Sequence, residues 1–83
     1  QGKPHPALFL LAAQALQVDP SCILVCEDAV AGVMAAKTAG MKCVGIATDR
    51  GSLLKEAGAA LVVENFAQTS LDDVRRLFGQ TRP

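Results

Sequence analysis

The chain has 83 residues, eight Lys and Arg against eight Asp and Glu, and a hydrophobic content of 51%. A chain without net charge lacks the basic surface that attracts phosphates, so we expect neither a nucleic-acid nor a membrane partner. The apolar content excludes a disordered chain, and no apolar run approaches the roughly 20 residues that a bilayer demands. A domain of this size buries only about 60% of its unfolded surface. We therefore expect some apolar side chains to be left for another body to cover.

The first half of the chain predicts a helix, a strand and a second helix. Pro6 suits a first helical turn, and apolar residues recur at three and four positions from Leu8 to Leu16, which is helical spacing. The wholly apolar run Cys22–Cys26 is typical of a strand buried on both faces, as in a parallel sheet. The next helix is predicted over about Val30–Ala39 and ends at Gly40, where glycine takes a left-handed conformation without a Cβ clash.

The second half continues the same alternation. It predicts a strand at Met41–Ala47, a short helix at Ser52–Ala57 that ends at Gly58, and a third strand at Ala60–Val63. Strands that alternate with helices imply right-handed crossovers and a parallel sheet with helices on its faces. The predicted fold class is therefore α/β, a Rossmann-like parallel sheet with flanking helices, of which three strands are visible.

The last predicted helix has the clearest local signals. Ser70 and Asp73 form a variant of the capping box, and an acidic first turn followed by Arg75 and Arg76 suits the helix dipole. The apolar stripe of this helix consists of Leu71, Val74, Leu77 and Phe78.

Cysteine usage is typical of a reducing compartment. Cys22, Cys26 and Cys43 are an odd number, with no C-x-x-C motif and no histidine at zinc spacing. All three lie in apolar runs, so we expect small buried hydrophobic side chains. The start of the chain shows no signal-peptide pattern. The expected location is therefore cytoplasmic.

Two acidic residues follow the first predicted strand directly. Glu27 and Asp28 stand where open parallel sheets bind ligands, at the carboxyl end of a strand. Hard carboxylate oxygens suit Mg²⁺, which takes one or two of them and completes its shell with water and substrate oxygens. Acidic residues at this position also cap the following helix. The residues alone leave both interpretations open.

Two further residues near the start could contact a substrate. Lys3 could present a point charge to a phosphate, or it could be an ordinary solvated lysine. His5 could touch a substrate, or it could be a surface histidine in a turn. Polar residues 48–50, after the second strand, suit either the rim of a site or a plain loop.

Five segments carry a recognisable pattern, and they are Gly2-Lys3-Pro4-His5-Pro6-Ala7-Leu8-Phe9-Leu10, Val18-Asp19-Pro20-Ser21-Cys22, Val25-Cys26-Glu27-Asp28-Ala29, Ala31-Gly32-Val33 and Ala35-Ala36-Lys37-Thr38-Ala39-Gly40-Met41. In this order they resemble the haloacid dehalogenase-like hydrolases, in particular their phosphatase and β-phosphoglucomutase branch. The resemblance is dense over about residues 2–50 and diffuse afterwards.

The resemblance implies a Mg²⁺-dependent phosphoryl transfer through an aspartyl-phosphate. In this family Lys3 would neutralise the nucleophile and the transferred phosphate. Asp28 would be the direct metal ligand and Glu27 the supporting one. Such chemistry depends mostly on positioning and charge neutralisation, which a cation and a metal supply.

The chain departs from the family pattern at two places. Ala7 stands where the family commonly has Asp, so the first helix is expected to be capped less well. The Asp-x-Asp segment that supplies the family's nucleophile and general acid does not occur in the 83 residues, and neither does the Ser or Thr of its second motif. The resemblance thus identifies residues 1–83 with the carboxyl-terminal part of the core domain, without the nucleophile-bearing strand or the cap domain.

The sequence therefore predicts part of a phosphatase or sugar phosphomutase that acts on a small phosphorylated metabolite. Alone it would be inactive, because a covalent mechanism needs its nucleophile, and its partner would be the amino-terminal half of the core. The alternative is a non-catalytic binding or regulatory module derived from the same fold. A receiver domain fits poorly, since no phospho-acceptor Asp and no closing Lys follow the later strands.

Overall fold

The computed structural model describes residues 5–79. Within that range helices and strands alternate, as the sequence predicts. The elements are α1 (Ala7–Leu16), β1 (Leu24–Glu27), α2 (Val30–Thr38), β2 (Lys42–Ile46), α3 (Gly51–Ala57), β3 (Leu61–Val63) and α4 (Leu71–Leu77), with 3₁₀ turns at Pro20–Cys22 and Phe66–Gln68.

The three strands form one parallel sheet in the order β1-β2-β3. In the register, Val25 lies beside Cys43 and Gly45 lies beside Val62. The α/β fold class with a parallel sheet and flanking helices is confirmed. Because the strands are parallel, their carboxyl ends lie at one edge of the sheet.

Glycine ends the two helices where the sequence places it. Gly40 follows α2 with φ of +81°, and Gly58 follows α3 with φ of +121°. Side chains with a Cβ rarely adopt such angles, so these glycines let the chain turn sharply from helix to strand.

The core lies between the sheet and the pair of helices α2 and α3, which pack against each other and against β2. Small side chains on α2 allow this close approach. Val33 and Leu54 are fully buried in the core, and Cys43 of β2 is 2% exposed. The buried cluster consists of Ala13, Val33, Ala36, Ala39, Met41, Cys43, Leu54 and Ala59.

The first strand differs from its prediction. It covers Leu24–Glu27 rather than Cys22–Cys26, because Pro20 begins a 3₁₀ turn that includes Cys22. The Asp19 carboxylate stabilises this turn by accepting a hydrogen bond from the Ser21 backbone N–H at 2.9 Å. Within the described residues β1 is an edge strand, so its predicted burial on both faces is wrong.

Burial of the three cysteines is confirmed only in part. Cys43 is buried, whereas Cys22 and Cys26 are exposed. Cys22 leaves the strand for the surface turn, and Cys26 lies on the edge strand with a side chain that no described helix covers. The prediction of buried side chains at these two positions is wrong, because it assumed a strand in the middle of a sheet.

The expected excess of exposed apolar side chains is present. Three leucines of α1, Leu8, Leu11 and Leu16, are between 60% and 73% exposed. No helix within residues 5–79 is long and apolar enough to cross a membrane.

The predicted capping box of α4 forms in full. The Ser70 hydroxyl accepts from the Asp73 N–H at 3.2 Å, and the Asp73 carboxylate accepts from the Ser70 N–H at 3.0 Å. Arg75 and Arg76 form salt bridges with the aspartates three residues before them. The apolar stripe is only partly buried, because Leu71 is 64% exposed.

Candidate functional site

The two acidic residues lie at the carboxyl edge of the sheet, as predicted. Glu27 is the last residue of β1, beside Gly45 of β2, and Asp28 follows it directly. The polar residues 48–50 follow β2 at the same edge and are exposed. This edge is where open parallel sheets bind their ligands.

The Glu27 side chain lies against α2. A Cβ atom placed on Gly32 would overlap the Oε1 and Cδ atoms of Glu27 and would lie 2.7 Å from its Cγ. The side chain therefore occupies the space that glycine leaves open on the helix, and Glu27 is half-buried while Asp28 is exposed. One carboxylate thus turns inward and its neighbour outward.

Neither carboxylate caps α2. The N-cap position of this helix is Ala29, and its first turn contains no acidic residue. No hydrogen bond or salt bridge joins the Glu27 or Asp28 carboxylate to any other residue in the range 5–79. The capping interpretation is therefore wrong for the described contacts.

The pair is chemically suited to a magnesium ion. Mg²⁺ prefers oxygen ligands, takes one or two carboxylates, and keeps waters and substrate oxygens for its other positions. The cradle at Gly32 holds Glu27 at the sheet edge, next to the exposed carboxylate of Asp28. Among the described residues no group of three or more His, Cys, Asp or Glu could hold a metal. Glu27 and Asp28 remain a pair of carboxylates whose oxygens match the one or two protein ligands that Mg²⁺ takes.

His5 lies just before α1 and is exposed. Its Nδ1 atom accepts a hydrogen bond from the Ala7 N–H at 3.3 Å. The N-cap residue Pro6 offers no side-chain cap, so this contact satisfies one of the free N–H groups of the first turn. The expectation that α1 is capped less well is confirmed, because its N-cap residue Pro6 makes no side-chain hydrogen bond to the first turn. Contact of His5 with a substrate stays a prediction, and Lys3 lies outside the described residues.

A pocket of about 270 Å³ opens between the first turns of α1 and α2. The sequence analysis did not predict this pocket. The available signal was an apolar first turn in α1 together with small residues in α2, which leave space between the two helices. Gly32 contributes both to this pocket and to the cradle of Glu27. The lining residues are His5, Leu8, Phe9, Ala31, Gly32 and Ala35.

Cys43 lies in the buried layer next to β1. Burial raises the pKa of its thiol to about 11, and Coulombic interactions with Glu27 and Cys26 act in the same direction. A thiol of this kind stays protonated at neutral pH, and nucleophilic chemistry needs the thiolate. Cys43 is therefore a packing residue.

Comparisons with known proteins agree with the family resemblance of the sequence. A family model described as haloacid dehalogenase-like hydrolase matches residues 1–40. The chain is 39% identical to a β-phosphoglucomutase of Bacillus subtilis over 82 residues, which are 99% of this chain and 34% of that protein. It is 52% identical to a validoxylamine A 7'-phosphate phosphatase of Streptomyces hygroscopicus over 48 residues, which are 58% of this chain and 22% of that protein.

Solved structures show the same fold. A crystal structure of a family IA, variant 3 hydrolase of the haloacid dehalogenase type, from Entamoeba histolytica, superposes with a TM-score of 0.83 and 30% identity. The superposition covers 96% of this chain and 37% of that one. The chain thus spans about a third or less of the length of the relatives described above.

Proposed function

Because the chain belongs to the haloacid dehalogenase-like hydrolase superfamily, we propose that it forms part of the active site of a Mg²⁺-dependent phosphoryl-transfer enzyme. The proposed substrate is a small phosphorylated metabolite, and the reaction is that of a phosphatase or a sugar phosphomutase. The relatives named as a phosphatase and a phosphoglucomutase support this proposal. The observation that carries it is the pair of carboxylates at the carboxyl end of β1, which no described residue engages in a hydrogen bond or salt bridge.

Each site residue has a proposed role. Asp28, the exposed member of the pair, is the direct metal ligand, and half-buried Glu27 supports it. Lys3 neutralises charge on the nucleophile and on the transferred phosphate, and His5 contacts the substrate. When bound, Mg²⁺ would offset the negative charge that accumulates during phosphoryl transfer.

The proposed reaction proceeds through an aspartyl-phosphate, and its nucleophile comes from outside these 83 residues. No Asp-x-Asp segment occurs in the chain. Its proposed partner is therefore the amino-terminal half of the core domain, and residues 1–83 form the carboxyl-terminal part. By itself the 83-residue chain should not turn over substrate, because a covalent mechanism requires its nucleophile. A cytoplasmic location is proposed from the three free cysteines.

The test is the substitution Asp28→Asn in the full-length protein. Hydrolysis of p-nitrophenyl phosphate should require Mg²⁺, and the variant should lose about 100-fold or more in kcat, in line with the loss of a major electrostatic contribution. The control is Asp19→Asn, the same chemical change in the turn before β1. Asparagine caps as well as aspartate, so this variant should keep wild-type activity.

Three outcomes would contradict the proposal at different points. Full activity in the Asp28→Asn variant would remove the metal role of that residue. Turnover by the 83-residue chain itself would show that its nucleophile lies within the segment. A full-length protein without any Mg²⁺-dependent phosphatase or mutase activity would favour the non-catalytic module.

A further inference from the structure

We propose that Gly32 is a positioning residue for the carboxylate pair. The absence of a side chain at this point of α2 determines where the Glu27 carboxylate lies, and through it the affinity of the edge for Mg²⁺. The inference rests on the proposed function, since it concerns the same metal site. It assigns a role to a residue that has no side chain with which to bind the metal.

The contact between Glu27 and Gly32 involves most of the glutamate side chain. The connection from β1 to α2 is only two residues long, so the first turn of α2 begins directly beside Glu27. Three consecutive atoms of the Glu27 side chain, Cγ, Cδ and Oε1, occupy the space around a Cβ on Gly32. The side chain thus lies flat across the glycine. A small rotation of the carboxylate tip would not relieve an added methyl group, so the whole side chain would have to move.

The backbone conformation does not require glycine at position 32. Gly32 is the third residue of α2, and it is not one of the glycines with positive φ, which are Gly40, Gly58 and Gly79. A glycine within a helix destabilises it relative to alanine. Alanine occupies positions 31, 35 and 36 of the same helix. The helix therefore uses glycine at the position where Glu27 crosses it, and the contact explains the choice.

Glu27 is half-buried at the edge of the sheet. A carboxylate at the surface of a core needs a fixed place to be useful as a ligand, and supporting contacts of metal ligands are commonly worth 10- to 100-fold in metal affinity. No described residue makes a hydrogen bond or salt bridge with the Glu27 carboxylate. The cradle at Gly32 is thus the contact that limits where its carboxylate lies.

The experiment uses four forms of the full-length protein: wild type, Gly32→Ala, Glu27→Ala, and the double variant. Mg²⁺ binding is measured by calorimetry without substrate. Gly32→Ala should raise the Kd for Mg²⁺ by about 10- to 100-fold, and Glu27→Ala should have a similar effect. In the double variant the Kd should equal that of Glu27→Ala alone, because Gly32 acts through Glu27 and the two changes are coupled.

A metal-free readout keeps the inference testable if the Gly32→Ala variant folds poorly. In EDTA, Gly32→Ala should lower the Tm when residue 27 is glutamate, because the new methyl group displaces the side chain. In the Glu27→Ala background it should raise the Tm, because alanine favours the helix. The matched control is Gly51→Ala at the start of α3, whose Cβ would meet Val62 at 3.1 Å rather than Glu27. Its Kd for Mg²⁺ should equal that of the wild type.

The outcomes separate the inference from the proposed function. If Gly32→Ala binds Mg²⁺ like the wild type while Glu27→Ala and Asp28→Asn do not, the role of Gly32 is wrong and the metal site stands. If Gly32→Ala weakens binding equally in both backgrounds, it acts through the neighbouring pocket and the inference is also wrong. If neither Glu27→Ala nor Asp28→Asn changes the Kd, the metal site fails and the inference fails with it.

Discussion

At the scale of single residues, burial divides three chemically identical thiols into two groups. Cys22 and Cys26 are exposed, whereas Cys43 is 2% exposed and its thiol pKa is raised to about 11 by desolvation. All three lie in apolar runs of the sequence, so the local pattern predicts the same environment for each. Cys22 is exposed because it lies in the 3₁₀ turn before β1, and Cys26 is exposed because β1 is an edge strand of the described sheet.

Thiol labelling should follow this division. At pH 8 and under native conditions, a disulfide reagent should react fast with Cys22 and Cys26 and slowly with Cys43, because the reactive species is an accessible thiolate. Labelling sites are identified by mass spectrometry of the digested chain. Denaturation should make the three rates similar. A Cys43 that reacts as fast as Cys26 in the folded chain would contradict its burial.

For the site residues too, the sequence predicts their position but not their side-chain contacts. Glu27 and Asp28 could be predicted because a polar pair directly after an apolar strand is a local pattern with a general meaning. The contact between Glu27 and Gly32 could not, since it depends on which face of the strand the side chain takes and how closely α2 approaches. Ala29 at the N-cap position excludes the helix-cap interpretation of the pair, and the metal role stays a proposal.

At the scale of elements, α4 depends on its first turn. It has only seven residues, and helices much shorter than about 12 residues are marginal without other contacts. The reciprocal bonds of Ser70 and Asp73 satisfy N–H groups that would otherwise lack partners, and Asp72 and Asp73 complement the helix dipole. These signals are local, so the capping box could be read from the sequence in full.

Removal of the cap should weaken the fold by a measurable amount. Ser70→Ala should reduce the free energy of unfolding by about 1 kcal/mol, measured by urea denaturation. The control is Ser52→Ala in the first turn of α3, an exposed serine. That variant should change the free energy little, since alanine is the better helix former. Equal losses in the two variants would contradict a specific role of the capping box.

Strand boundaries were harder to predict than helix ends. The predicted first strand, Cys22–Cys26, begins two residues too early and ends one residue too soon. Apolar character continues through Cys22, but the Asp19 carboxylate and Pro20 favour a 3₁₀ turn there. A contact between one side chain and a nearby N–H group thus overrode the hydrophobic pattern.

At the scale of the whole molecule, the fold is much thinner in one direction than in the other two. The principal extents are 39 × 33 × 17 Å, which is room for little more than a sheet and one layer of helices. The described sheet has three strands, and Leu8 and Leu11 of α1 are 73% and 60% exposed. Neutral net charge offers no repulsion between copies. The exposed apolar surface therefore favours association.

The isolated 83-residue chain should associate reversibly as its concentration rises. Light scattering over about a tenfold concentration range should show an increase in mean mass, as mass action requires. The double substitution Leu8→Gln and Leu11→Gln should reduce the increase, because it removes exposed apolar area from α1. The control, Leu53→Gln on α3, changes a leucine that is 49% exposed and should have a smaller effect. A constant monomer mass at all concentrations would contradict the prediction.

The sequence by itself determined the order of helices and strands, the parallel sheet, the helix ends at Gly40 and Gly58, and the acidic pair at Glu27 and Asp28. These features depend on periodicity, capping and backbone sterics, all of which act over a few neighbouring residues. Within residues 5–79, only the tertiary structure decided that β1 is an edge strand of the described sheet with Cys26 exposed, and that the Glu27 side chain rests on Gly32. Those outcomes depend on strand order and on the distance between α2 and the sheet, which residues far apart in the chain set together.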